Sequence, residues 1–416
     1  MNTAPLTAET RTAALDTLQA TATAGQELDI LVIGGGVTGA GIALDAATRG
    51  LKVAIVEGQD WSSGTSSRSS KLVHGGLRYL QMLDFHLVRE ALTERDLLLT
   101  ELAPHLVRPV SFLYPLEHRV WERAYVGAGI ALYDTLASIN GRRRALPLHS
   151  HVTRHGLEKL FPDLRHEAAI GAVRYWDATV DDARLVTTIV RTAAEYGAAA
   201  ASRTQVVGMS TTEGGTVTGA TVEDLETGRR FEVRARQVIT ATGVWTDDTQ
   251  RMVGERGTFK VRASKGVHLV VPRDRFQSKL GLLLRTDKSV LFVIPWGRHW
   301  LIGTTDTDFT GTADEVCADA QDVAYLIASG NGYFPAAALT TDDVATIFST
   351  LGRDPRAAAA GLRGAGVHPA PLEPLIKLAI HGWDALAVAA IKQYVAQHNT
   401  QGETYAAILC GANMNF

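Results

Sequence analysis

Only two cysteines, Cys317 and Cys410, occur in 416 residues, and they form no CxxC pair. That excludes an iron–sulfur cluster or a four-thiolate zinc site held by this chain alone. It also suits a reducing cytoplasm better than a disulfide-stapled secreted setting. A charge excess is missing too. Lys and Arg number 41 against 44 Asp and Glu, a net charge of −3, so nothing argues for a nucleic-acid partner. The suggestive uncharged stretch Ile30–Leu44 has 15 residues with five glycines, short of the roughly 20 that a spanning helix needs. The first 27 residues carry Glu9, Arg11, Asp16 and Glu27 without the apolar core of a signal peptide, so export is not expected. Peripheral contact with a membrane surface stays open, because a docking patch need not be contiguous in sequence.

What is present describes a folded, multi-domain chain. Hydrophobic residues make up 46% and charged residues 20%, and at about 150 residues per domain the length gives two or three domains. Residues 3–24 read as a polar, alanine-rich helix or tail. At Leu28 the texture changes: Leu28–Ile33 is a short apolar run of buried parallel-strand type, and Gly34-Gly35-Gly36-Val37-Thr38-Gly39 follows at once. Helical spacing then runs through Ile42, Ala43, Ala46 and Ala47, Gly50 closes the helix, and Lys52–Glu57 is a second strand. This is a complete βαβ unit. Further helices are expected over 85–102, 181–196, 319–328 and 341–350. Strands are expected at 203–209, 216–224, 230–236, 238–243, 267–271, 281–284, 290–295 and 300–304.

The spacing Gly34-x-Gly36-x-x-Gly39 between strand and helix has a physical reading as a dinucleotide site. Gly34 permits the tight turn, Gly36 lets the backbone approach a pyrophosphate at the helix N-terminus, and Gly39 allows close helix–strand packing. Glu57, at the end of the second strand, is placed for a ribose hydroxyl. A ligand-free βα turn is the plainer alternative. The glycine pattern alone does not separate NAD from FAD, and the serine-rich stretch after it would ordinarily be a solvated loop.

Residues 66–80, SSRSSKLVHGGLRYL after Thr65, resemble the flavin-contacting signature of FAD-dependent glycerol-3-phosphate dehydrogenases, in the glycine oxidase/D-amino-acid oxidase-like superfamily. VDDARL at 180–185, ATGVWTDD at 241–248, KGVHLVVPR at 265–273 and FVIPW…GTTDTDF at 292–309 are similar to further family segments, so the resemblance runs over about 28–350. It implies an α/β fold with a discontinuous FAD-binding Rossmann-like domain interleaved with an antiparallel-sheet substrate domain. The expected boundaries are 28–108 and 175–250 for the first and 109–174 and 251–352 for the second. Residues 1–27 would precede them, and 353–416 would follow as an atypical tail. It implies FAD held by Gly34, Gly36, Gly39, Glu57, Ser66, Ser67, Ser70, Lys71, His74, Gly75 and Gly243, and substrate held by Arg78 and Tyr79. His268 and Arg78 would be the catalytic pair.

The chemistry agrees with that assignment. A phosphorylated alcohol needs a permanent cation, which arginine supplies bidentately, and oxidation at C2 needs a base such as histidine. For His268 the plainer alternative is a satisfied strand histidine. The implied reaction is oxidation of sn-glycerol 3-phosphate to dihydroxyacetone phosphate with a quinone-type electron acceptor, in the cytoplasm or against the inner face of the membrane. A homodimer remains open. Another flavin oxidoreductase on a small hydroxy or amino substrate is the runner-up, followed by a non-catalytic flavin-binding protein and, remotely, a pyridoxal-phosphate lyase.

Arg142-Arg143-Arg144 reads as a solvated loop, with anionic lipid headgroups as the alternative partner. Trp176, Trp245 and Trp296 are expected in the core. The chain departs from the family near its end. A GLRPL-like segment is replaced by FSTLGRDP, with Arg353 out of register, and no GGKLTTYR-type segment is found. The last 45 or so residues resemble the end of the pyridoxal-phosphate domain of threonine deaminases, with Cys410 where those enzymes face the pyridine nitrogen. Weak, partly dissociable FAD and slow turnover are the expected consequences.

Overall fold

The computed structural model describes residues 6–23, 25–77, 85–118, 120–138, 144–254, 263–286, 290–313 and 316–353. In chain order it begins with α1 (Ala8–Ala20), β1 (Leu28–Ile33), α2 (Val37–Thr48), β2 (Val53–Val56) and β3 (Leu72–Val73). Next come α3 (Phe85–Leu97, extended by a π turn over Leu98–Leu102), β4 (Arg108–Leu116), α4 (Trp121–Ser138), β5 (Ser150–Thr153), α5 (Arg154–Leu160) and β6 (Gly171–Thr179). Then follow α6 (Asp182–Glu195), β7 (Ala199–Ala201), β8 (Thr204–Thr211), β9 (Val217–Asp224), β10 (Arg229–Thr240) and α7 (Thr246–Arg251). The last described elements are β11 (Ala263–Pro272), β12 (Gly281–Arg285), β13 (Val290–Trp296), β14 (His299–Gly303), β15 (Thr307–Phe309), α8 (Ala320–Tyr333) and β16 (Thr346–Arg353).

These elements fall into two units. The first gathers Met1–Ser67 and Asp182–Ala263; the second gathers Arg68–Asp181 and Ser264–Thr350. The division therefore falls after residues 67 and 181, where the sequence suggested 108 and 174. Strand pairing is the reason: β3 and β4 both pair with β6, which ties 68–108 to the second sheet.

The first unit is built on a six-stranded sheet in the order β7-β2-β1-β10-β9-β8. Its centre is parallel, with β1 between β2 and β10, and all four residues of β2 are buried. The two strands expected at 230–236 and 238–243 are one strand, β10. Its first half, Arg229–Arg234, is mostly exposed beside antiparallel β9, with Phe231 half-buried and Val233 buried, and its second half, Ala235–Thr240, runs parallel to β1. The polar N-terminal segment is a helix, not a tail. Thr7 caps α1, and Ala14, Leu15 and Leu18 are buried in the same apolar cluster as β1 and β10. Complete burial of Leu18 is worth about 1.5–3 kcal/mol. Arg11 adds an ion pair to buried Asp224 at 2.5 Å.

In the second unit the strand order is β15-β11-β14-β13-β12-β4-β6-β3, with β16 beside β11 and β5 beside β6. β11 with β14, β14 with β13, β13 with β12, and β6 with β3, β4 and β5 all pair antiparallel, whereas β12 with β4 is parallel. One face is filled by Phe161, Phe276, Trp300 and Phe334, whose rings lie 4.6–6.1 Å apart. The helix expected at 341–350 is not formed. Thr341–Asp343 is a single 3₁₀ turn closed by a Thr340–Asp343 capping box, after which the chain joins the sheet as β16. The three tryptophans expected in the core, Trp176, Trp245 and Trp296, are half-buried instead. Trp176 stacks under Arg174 and Trp296 lies under buried Lys71, so each ring packs against a cation.

Candidate functional site

The glycine turn between β1 and α2 is built as the sequence pattern requires. Gly34 has φ +111°, and a Cβ there would lie 2.4 Å from the Ala241 carbonyl oxygen, so the turn is pressed against the end of β10. A Cβ on Gly39 would lie 1.9 Å from the Gly34 carbonyl oxygen, which is the close helix–strand contact that only glycine permits. Gly36 is different. It is the N-cap of α2 with no side-chain cap of its own, its φ is −75°, and an added Cβ would meet only Ser66. The helix N-terminus is thus open at Gly36, where backbone donors and the helix dipole favour an anion.

Two side chains frame this opening. Ser66, from a 3₁₀ turn at Thr65–Ser67, accepts the Val37 N–H at 3.0 Å, while Ser67 Oγ donates to the Gly64 carbonyl at 3.4 Å. Glu57, just past β2, accepts the Gly35 N–H at 2.6 Å and the Gln59 N–H at 2.7 Å, one on each oxygen. Each oxygen keeps a second lone pair for a hydroxyl. Burial pushes the Glu57 carboxyl up, and the two amides pull against that shift. Gly35 escaped the sequence reading. It is wedged between Trp61 and Glu57, with a Cβ position 2.6 Å from the indole. Gly243, with φ +55°, turns the chain after β10 and faces open space. The open cap, the uncluttered Gly36 and the pinned acid fit a dinucleotide.

The second unit brings Ser70, Lys71 and His268 together. His268, on β11, is fully buried; its Nε2 lies 2.7 Å from Ser70 Oγ, and its ring stacks on Phe348 at 4.8 Å. Its Nδ1 finds no hydrogen-bond partner among the described residues. Burial, helped by the charge of Lys71, lowers the imidazole to about 3. Lys71 is itself buried and sits over the rings of Trp296 and Phe348, at 5.7 and 5.4 Å. Its backbone, with φ +59°, is anchored by Val180 N–H and the Thr179 hydroxyl, both donating to its carbonyl.

Beyond β3, His74 and Gly75 lie against a buried polar group that the sequence reading missed. The Gly75 N–H donates to Tyr133 Oη at 2.7 Å and to Asp177 at 3.3 Å. Tyr133 donates to Asp177 at 2.8 Å, and Arg95 donates to the same oxygen at 2.7 Å. The signal was faint: Asp177 stands four residues before the Asp181-Asp182 pair, whereas Arg95 and Tyr133 lie on helices with no motif. Arg78 and Tyr79 fall outside the described residues, as do Arg142, Arg143 and the tail from residue 354. Among the described residues no group of three or more acidic, histidine or cysteine side chains could hold a metal. No described helix is long and apolar enough to cross a membrane.

Comparison with known proteins places these features in context. A family model described as FAD dependent oxidoreductase (DAO) matches residues 29–390. Glycerol-3-phosphate dehydrogenase 2 of Mycobacterium tuberculosis is 54% identical over 326 residues, covering 78% of this chain and 55% of that protein. The mitochondrial glycerol-3-phosphate dehydrogenase of Homo sapiens is 42% identical over 338 residues, 78% of this chain and 45% of that one. The chain thus spans about half the length of the curated relatives it matches. Among solved structures, a glycerol-3-phosphate dehydrogenase from Bacillus halodurans complexed with FAD superposes with a TM-score of 0.69 and 26% identity. That match covers 96% of this chain and 70% of the other. An L-alpha-glycerophosphate oxidase from Mycoplasma pneumoniae, at TM-score 0.66 and 17% identity over 93% and 98% of the two chains, shares the fold.

Proposed function

The chain belongs to the family of FAD-dependent oxidoreductases, and on that premise we propose that it oxidises sn-glycerol 3-phosphate to dihydroxyacetone phosphate. The observation that carries the reading is the 54% identity to a glycerol-3-phosphate dehydrogenase across 78% of this chain. A match of 326 residues is far longer than any single motif, and chance convergence does not produce that.

In this reading the first unit holds the dinucleotide. The N-terminus of α2 faces the pyrophosphate, Ser66 and Ser67 line it, and Glu57 accepts from a ribose hydroxyl. FAD, when bound, accepts the hydride from C2 of the substrate. The protein must then remove the hydroxyl proton and hold the phosphate. Arg78 and Tyr79 are assigned to the phosphate by their sequence match. His268 is assigned to the proton: as a neutral imidazole at physiological pH it has a ring nitrogen able to receive one. Standing so low it is a weak base, and the dianion of a bound phosphate ester would offset Lys71 and raise it.

A quinone-type acceptor and peripheral contact with a membrane belong to the same proposal. Support for the contact comes from the outward face of α4, where Trp121 and Tyr125 are more than 60% exposed, and from the basic Arg142–Arg144 run that follows. The test of the central reaction is anaerobic titration of the FAD-loaded protein. Glycerol 3-phosphate should bleach the visible flavin band and glycerol should not. No bleaching by glycerol 3-phosphate rejects the substrate, and equal bleaching by glycerol rejects the role given to the phosphate.

A further inference from the structure

Four elements of the second unit converge on the His74-Gly75-Gly76 turn. Arg95 comes from α3, Tyr133 from α4 and Asp177 from β6, and the turn itself follows β3. Arg95, Asp177 and Tyr133 are 3%, 3% and 1% exposed. Burying a guanidinium and a carboxylate costs several kcal/mol per ion, and apolar side chains of the same volume often fold as stably. Stability alone is therefore a poor account of the cluster.

The order of its hydrogen bonds suggests another. Arg95 Nη1 donates to Asp177 Oδ1 at 2.7 Å, and a second fork of the guanidinium reaches Asp96 at 2.9 Å, so the carboxylate is held from one side. Tyr133 Oη donates to that same Asp177 oxygen at 2.8 Å, which fixes its hydroxyl rotor. With its proton committed, Tyr133 presents a lone pair, and the Gly75 N–H donates into it at 2.7 Å. The direction of one backbone N–H is thus set mainly by a hydroxyl that a carboxylate and a guanidinium hold in turn, with a longer bond of 3.3 Å from the same N–H to that carboxylate oxygen.

Packing reinforces that direction. A Cβ on Gly75 would lie 2.3 Å from Leu92 Cδ2 and 2.6 Å from Tyr133 Oη, so the turn is pressed flat onto the cluster. One residue back, His74 Nδ1 accepts the Gly76 N–H at 3.1 Å, which assigns the proton of the neutral ring to Nε2. Burial lowers His74, the Asp177 charge opposes the shift and the Arg95 charge adds to it, so the ring stays neutral.

We propose that Arg95, Asp177 and Tyr133 are positioning residues for the oxidation: their relay holds the His74-Gly75-Gly76 turn so that His74 presents a fixed Nε2–H donor to the flavin or its substrate. The proposal rests on the functional reading above for the reaction, while its geometric half stands on the relay alone.

The experiment uses the full-length, FAD-loaded protein and the variant Tyr133→Phe, which keeps the ring and removes the hydroxyl. Flavin content and thermal midpoint should stay near wild type. With glycerol 3-phosphate, kcat should fall roughly 10- to 100-fold with KM little changed, the size of effect that a small misplacement of a reacting group produces. The visible circular dichroism of the bound flavin, read without substrate, should change. Asp177→Asn combined with Tyr133→Phe should cost little more than the worse single variant, because both cut one relay. Wild-type kcat and an unchanged flavin spectrum in Tyr133→Phe would overturn the proposal. So would a loss of activity that merely follows loss of flavin or of folded protein. Should wild type fail to turn over glycerol 3-phosphate while Tyr133→Phe still alters the spectrum, the substrate reading falls and the positioning role stands.

Discussion

Gly36 and Gly39 are three residues apart in one motif, yet the structure gives them different work. A methyl group on Gly39 would enter the Gly34 carbonyl, so Gly39→Ala must part α2 from β1. On Gly36 the same methyl meets only the Ser66 hydroxyl at 3.1 Å, and φ is ordinary. Gly36→Ala should therefore keep the wild-type thermal midpoint and release FAD more readily, whereas Gly39→Ala should lose both. Flavin retained through gel filtration, with circular dichroism melts, separates the two. If Gly36→Ala holds FAD as tightly as wild type, the pyrophosphate does not lie there. His268 offers a second test. Its ring titrates near 3 when folded against an ordinary 6.5 when unfolded, so between those values the unfolded chain binds a proton that the folded chain does not. Stability must then fall as pH drops through this window, at about 1.4 kcal/mol per pH unit from this one group. Denaturant titrations between pH 7 and pH 5 should show a shallower acid loss in His268→Gln, and parallel slopes would show that His268 titrates normally. The glycines were legible in sequence because a turn's demands are local. The burial of His268 under Phe348 was not, since that phenylalanine arrives from a strand 80 residues away.

At the scale of elements, what a window of sequence shows and what pairing decides part company at β10. Its two halves differ in texture because they have different neighbours, and a local reading divides one strand into two. The stretch 341–350 failed for a related reason: an acidic capping box opens it, but the chain after Val344 has a free edge beside β11 to join. For the interval 108–179 no helix or strand was expected, although it contributes β4, α4 and β6. By contrast the βαβ unit, α6 and the strands from β11 to β14 carry strong periodicity and were placed within a few residues. Helix α1 supplies the prediction at this scale. Burial would raise the Asp224 carboxyl, but hydrogen bonds from Arg11 and Thr227 outweigh that and hold it below the usual range. A depressed carboxyl contributes stability above its unfolded value and loses it as pH falls through the folded one. Arg11→Ala, which leaves Asp224 buried without its guanidinium, should cost about 1–3 kcal/mol near neutral pH. Wild type and variant should converge in acid, once the pH has fallen through the depressed folded value of Asp224. A difference that persists unchanged into acid would assign the loss to packing of the Arg11 stem instead.

For the whole molecule, a net charge of −3 gives no general attraction to an anionic bilayer, so membrane contact has to come from one local surface. Helix α4 presents such a surface. Trp121, Tyr125 and Leu132 recur at i, i+4 and i+11, within about 40° of one another on the helix wheel, and all three are exposed. Val120 and Leu148 beside them in sequence are exposed as well, while Ile130, Tyr133 and Leu136 face inward. Apolar bodies with polar tips at Trp121 and Tyr125, followed by three consecutive arginines, match the composition of a helix that lies in the headgroup plane. Wild type should therefore sediment with vesicles rich in phosphatidylglycerol and stay in solution with purely zwitterionic ones. The double variant Trp121→Asp with Tyr125→Asp should stay in solution with both. Because neither side chain belongs to the relay or the glycine turn, dye-coupled oxidation of glycerol 3-phosphate by the variant should match wild type, with only transfer to a vesicle-borne quinone impaired. Wild type left in the supernatant at low salt would remove α4 as a docking face. Equal quinone reduction by both proteins would show that electrons leave without it.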